Sequence, residues 1–128
     1  MASVSQQAAV ALAALRGLGA PSWFAPTLSC TMLGLPRNGE QTRDYWYRLF
    51  LSRDCALAAW VLAAPDGSAQ RRTALGTGIV VDAADAAAWL LAARRGELPR
   101  LGAMVLAGLH LAAIGLGAVA LAATPAES

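Results

Sequence analysis

Hydrophobic positions fall into four long blocks, about 6–25, 42–64, 72–93 and 100–123, separated by short runs rich in Pro, Gly and Arg. Each block holds roughly 20 to 23 residues, the length at which a helix rising 1.5 Å per residue crosses about 30 Å of hydrocarbon. Breakers mark the gaps. Pro21 and Pro26 stop or kink the end of the first block, and residues 27–33 read as a short interfacial turn of helix. Gly34-Leu35-Pro36-Arg37-Asn38-Gly39 reads as a loop, and Pro65-Asp66-Gly67-Ser68 as a tight turn. Gly96 follows Arg94-Arg95 as a helix stop, Pro99 suits the first turn of the fourth helix, and Thr124-Pro125 ends it. The pattern predicts an all-α protein, a single domain folded as a four-transmembrane-helix antiparallel bundle.

A soluble four-helix bundle is the rival architecture, and the fourth block argues against it. Between Leu101 and Ala123 the only strongly polar side chain is His110. A surface helix of a small soluble bundle needs a broad polar face, and this one is apolar all round. The third block is polar only along a narrow stripe. Composition agrees: 57% of the 128 residues are hydrophobic, 14% are charged, and mean hydropathy is +0.49. All ten basic residues are Arg, a bias that with abundant Ala fits a GC-rich bacterial genome. A net charge of +2 with dispersed Arg excludes a nucleic-acid surface. Cys30 and Cys55 lack the spacing of a disulfide framework or a zinc site and read as small apolar side chains. No metal or other cofactor is indicated. The first residues lack a basic leader region, and Arg16 interrupts what would be its apolar stretch.

The first and third connections collect Arg37, Arg43, Arg94, Arg95 and Arg100, with Arg48 close by, whereas the second has Arg71 and Arg72. The positive-inside rule places the Arg-rich connections in the cytoplasm and both termini outside, in a multi-pass protein of the bacterial inner membrane. Trp23, Tyr45, Trp46, Tyr47 and Trp89 belong to the Arg-rich end as an interfacial belt, and Trp60 marks the other boundary.

Against this background the ionisable residues inside the blocks stand out. Arg16, the Arg53-Asp54 pair, Asp82 with Asp85, and His110 each lie near the middle of a block. A central Arg or Asp costs about 2.5 to 3.5 kcal/mol on insertion, so these groups should face one another. Arg16, Arg48 and Arg53 balance Asp54, Asp82 and Asp85 in charge, as a paired network requires. Asp82 and Asp85 share one helix face, whereas Arg53 and Asp54 diverge by about 100° and should meet different partners. One arrangement pairs Arg53 with the Asp82/Asp85 face and Asp54 with Arg16, with His110 closing the ring; the swapped pairing is equally open. Gly108 with Ala112, and Ala74 with Gly78, are small-residue pairs that let helices approach closely.

The run Tyr47-Arg48-Leu49-Phe50-Leu51-Ser52-Arg53-Asp54-Cys55-Ala56-Leu57 resembles a signature of uncharacterised small four-helix bacterial integral-membrane proteins. Their second helix carries a central Arg-Asp pair after a Gly or other small residue, here Ser52, and a later helix supplies an Asp, here Asp82. The resemblance implies a membrane location and an unassigned role, and it transfers no catalytic residues.

Two functions fit the central cluster. In the first, Arg16, Arg53 and His110 help bind a small amphiphile or a proton in contact with the lipid bilayer, or the protein assembles as a homo-oligomer or with another membrane subunit. In the second, the chain is a membrane-embedded cyclase, isomerase or hydrolase acting on a lipid-like substrate, with Asp82, Asp85 and Asp54 as candidate acids and bases. A working site should border a cavity; a purely structural network should fill its own space with mutual hydrogen bonds.

Overall fold

The computed structural model describes residues 2–37 and 39–124. Asn38 of the first loop and Pro125 lie outside them. The described residues form an all-α structure with no strand: α1 (Val4–Gly17), a tight helical turn (Ala20–Trp23), α2 (Pro26–Met32), α3 (Glu40–Ala63), α4 (Ala69–Arg94) and α5 (Arg100–Ala122).

The later three blocks appear as single helices close to their expected limits. The first does not, because α1 ends at Gly17, and the piece Val4–Trp23 meets α2 at a bend of 114°. Proline chemistry explains the corner. Pro26 opens α2 without an N–H to continue a hydrogen-bond ladder. Its ring also forces Ala25 out of the helical region, to φ −132° and ψ 57°. At the start of α3, Gly39 takes a left-handed φ of 73°, which a side chain would strain.

Two helices, α4 and α5, are long and apolar enough to cross a membrane, and the bent pair of α1 with α2 makes a third if counted as one broken span. α3, 24 residues long, does not qualify by composition. It carries Arg43, Asp44, Arg48, Arg53 and Asp54, charges that would need neutralising neighbours if the helix were to cross a membrane.

Hydrogen bonds at one end fix the helix directions. Ser5, at the start of α1, bonds Thr124 at the end of α5 over 3.0 Å and donates to Asp66 between α3 and α4 over 3.1 Å. Arg71, at the start of α4, donates through Nε to the Ala64 carbonyl at 2.9 Å and through Nη2 to Gln6 at 3.4 Å. The starts of α1 and α4 therefore meet the ends of α3 and α5, an antiparallel arrangement. Arg71 is 2% exposed. From sequence it counted only as a charge of the second connection, and the structure places it inside, capping a carbonyl.

Beneath this clasp lies a core of Ala8, Ala9 and Leu12 from α1, Val61 from α3, Ala74 and Leu75 from α4, and Ala113 and Ala120 from α5. Alanine-rich faces let the axes come close. Packing is most extensive between α4 and α5, then α5 with α1 and α1 with α3; the α3–α4 seam is the thinnest of the four. Gly108 with Ala112 takes no part, since both are exposed and Gly108 has nothing near its missing side chain. Close approach occurs at Gly78, Gly102 and Gly117 instead.

Ser68 caps α4 by accepting from the Arg71 N–H at 3.1 Å. Ser68→Ala leaves that donor unpaired and is expected to cost about 1 kcal/mol, read as a shift in the detergent-unfolding midpoint.

Candidate functional site

From the clasp, helical rise sets the depth of each charged group. At 1.5 Å per residue, Arg16 lies about 17 Å along α1 from Ser5, and Asp82 about 17 Å along α4 from Arg71. Asp54 lies about 15 Å along α3 from Ala64, and His110 about 21 Å along α5 from Thr124. The structure brings all of these together, with Arg53 and Asp85, into one layer.

Asp82 is at its centre, 1% exposed. Arg16 Nη2 donates to Asp82 Oδ2 at 2.5 Å, and His110 Nδ1 lies 3.1 Å from Asp82 Oδ1. One helical turn along, Asp85 is held by both terminal nitrogens of Arg53, with Nη1 at 3.1 Å from Oδ1, and lies 3.8 Å from His110 Nδ1. The two carboxylates on one face of α4 thus take one guanidinium each, and His110 stands between them.

Of the two pairings left open, the structure takes a part of each: Arg53 binds Asp85 of the α4 face, and Arg16 binds Asp82. Asp54 accepts from its own neighbour, Arg53 Nη2, at 3.2 Å. Adjacent residues do leave a helix in different directions, but the Arg53 side chain is long enough to swing back over Asp54 while also reaching Asp85. Arg48 is also outside the cluster: its Nε donates to the Trp23 carbonyl at 3.1 Å, and its guanidinium stacks 5.6 Å from the Trp23 ring centre. Without Arg48 the charges no longer balance. Three carboxylates, of Asp54, Asp82 and Asp85, face the two guanidiniums of Arg16 and Arg53.

Small residues make space for this. A side chain at Gly78 would strike the Arg16 guanidinium. The expected small pair Ala74 and Gly78 is buried, and Gly78 serves to admit a charge as well as a helix. Phe50 covers the layer on the Arg-rich side. Its ring lies 4.9 Å from the Arg53 guanidinium carbon and meets the His110 ring edge-on at 5.4 Å.

The network does not fill its own space. A cavity of about 100 Å³ is bordered by Arg16, Asp54, Asp82 and His110, with Tyr47, Phe50 and apolar residues of α1 and α5 around them. Arg16 is 5% exposed, yet its Nε and Nη1 have no hydrogen-bond partner. Buried donors left unmade are costly, on the order of 1–3 kcal/mol each. A group that accepts from them would recover this.

Asp82, Asp85 and His110 also offer ligand atoms within 4.8 Å of one another, a spacing that suits a metal ion. Both carboxylates are, however, already held by guanidiniums. A divalent cation between them would face two fixed positive charges.

The chain matches no protein-family model, no curated protein and no solved structure. Its functional reading rests on this geometry.

Proposed function

We propose that this is a multi-pass membrane protein whose buried cluster holds the hydrogen-bond-accepting group of a small amphiphile. The observations that carry the reading are the cavity bordered by Arg16 and two buried guanidinium nitrogens of the same side chain that have no hydrogen-bond partner. A neutral acceptor such as a carbonyl suits it best, because the carboxylates already outnumber the guanidiniums. The same imbalance supports proton binding as a second role: one added positive charge neutralises the layer, and His110 lies between Asp82 and Asp85.

The membrane part of the reading rests on an inverted distribution of polarity. Charged Arg16, Asp54 and Asp82 are buried, whereas Val80, Leu101, Met104, Leu111 and Val119 are exposed on α4 and α5. Such an exterior matches hydrocarbon rather than water. In this reading Val4–Trp23 is one span and α3 the fourth, carried across because α4 supplies Asp85 to Arg53. The Arg-rich first and third connections lie in the cytoplasm and the termini outside. The central Ser52-Arg53-Asp54 of α3, with Asp82 on a later helix, supports kinship with the four-helix Arg-Asp proteins.

The test uses arginine-labelled protein in detergent micelles and acetone, the smallest ketone, as the probe. Acetone is expected to shift the Arg16 Nε–H resonance saturably and leave exposed Arg95 unmoved. A folded spectrum in which Arg16 does not respond would overturn the reading.

A further inference from the structure

A second cavity, of about 410 Å³, lies at the Arg-rich end of the bundle. Trp46, Tyr47, Phe50 and Trp89 line it, together with Cys30 of α2 and Leu98. Tyr47 and Phe50 line this cavity and the small polar one alike. We propose that the two cavities are halves of one site, which takes an amphiphile with a flat, ring-containing apolar body and a carbonyl-type head. This rests on the reading of Arg16 given above and adds the class of molecule.

Three observations carry it. First, the walls are flat and squared. The Tyr47 and Phe50 rings are nearly parallel, at 15° with centres 6.4 Å apart, and Trp89 stands at 86° to Phe50 with centres 6.3 Å apart. Faces set at right angles suit a planar ring, which can stack on one and meet the edge of the other. A flexible acyl chain gains nothing from such geometry and loses rotamer freedom in it. Second, the cavity's volume falls within the range of small-molecule sites. Third, it sits between Trp46, Tyr47 and Phe50 of α3 and Trp89 of α4, along the thinnest of the four seams that join neighbouring long helices. A molecule dissolved in the bilayer can therefore reach it sideways.

Phe50 joins the halves. On one side its ring borders the apolar cavity; on the other it touches the Arg53 guanidinium and His110. A body seated against Phe50 has its head directed to the layer where Arg16 has donors to give.

The experiment uses protein carrying fluorinated tryptophan in dodecyl-chain detergent micelles, where dodecyl chains compete for any unspecific apolar space. The probes are 2-acetylnaphthalene and 2-ethylnaphthalene, matched in shape and differing in the carbonyl. Both are expected to shift the Trp89 and Trp46 fluorine signals saturably and leave Trp60, at the opposite end, unchanged. The ketone should bind about tenfold more tightly or better, as a hydrogen bond from a charged donor warrants. In the double variant R16M/D82N that advantage should vanish while the hydrocarbon binds as before.

Equal affinity of the two probes for the wild type would separate the halves and overturn this inference, leaving the acetone response of Arg16 to stand by itself. Linear, unsaturated shifts at Trp60 and Trp89 alike would mean micelle partition and overturn it too. A loss of ketone preference together with a silent Arg16 toward acetone would locate the failure in the polar half.

Discussion

Arg16→Met is expected to cost the folded protein about 3–5 kcal/mol, the penalty for stranding one member of a buried ion pair. Asp82 is almost fully enclosed, and without Arg16 its remaining side-chain partner is His110. Water entering the neighbouring cavity of about 100 Å³, which Asp54 and His110 also border, supplies a neutral donor where a charged one was lost. The double variant R16M/D82N removes both charges and keeps both shapes near the originals. It should recover most of the loss, to within about 1–2 kcal/mol of wild type, because a buried pair replaced as a unit is often close to neutral. Glu97→Gln serves as the control. Its contact with Arg95 is 3.9 Å long and exposed on both sides, and its loss should stay within about 0.5 kcal/mol. Unfolding in mixed micelles of increasing denaturing-detergent fraction reads all four proteins. A single Arg16→Met cost below about 1 kcal/mol would show that the layer contributes nothing as an ion pair.

This cycle also marks what the sequence reading reached. Arg16, Arg53, Asp54, Asp82, Asp85 and His110 can be assembled from spacing alone, because expensive groups at one depth of four apolar blocks have nowhere else to go. Their pairing is another matter. Choosing between Asp54 and Asp82 as the partner of Arg16 depends on helix rotation, which a heavily alanine-substituted pattern leaves undefined: alanine is tolerated on either face. The break after Gly17 was signalled by Pro21 and Pro26, and the corner itself lies at Ala25, whose backbone Pro26 forces out of the helical region. Arg71 was hidden for a different reason. A charge beside a turn reads as solvated, and only the fold brings the Ala64 carbonyl and Gln6 to it. The apolar cavity at the α3–α4 seam leaves no sequence signal beyond Trp46, Tyr47 and Trp89, which an interfacial belt explains equally well.

Gly102→Ala is expected to destabilise the protein by about 2–3 kcal/mol even though alanine is the better helix former. On α5, a methyl group at 102 would strike the backbone carbonyl oxygen and carbon of Leu33, just beyond the end of α2. Backbone cannot rotate aside as a side chain can, so α2 or α5 must shift, and overpacking of this kind typically costs about 1–3 kcal/mol. Against it stands a helix-propensity gain of up to about 1 kcal/mol. Gly108 lies on the same helix with open space at its missing side chain, so Gly108→Ala should express that gain alone and stabilise by about 0.5–1 kcal/mol. Gly78→Ala belongs between them, since its new methyl meets the mobile end of a side chain, but one held in place by Asp82. Opposite signs at 102 and 108 separate contact from propensity within a single helix. Because Cys30 and Leu35 flank the displaced turn and line the apolar cavity, Gly102→Ala should also weaken 2-ethylnaphthalene binding at Trp89. Stabilisation by all three alanines would mean that α2 does not rest on α5 at Leu33.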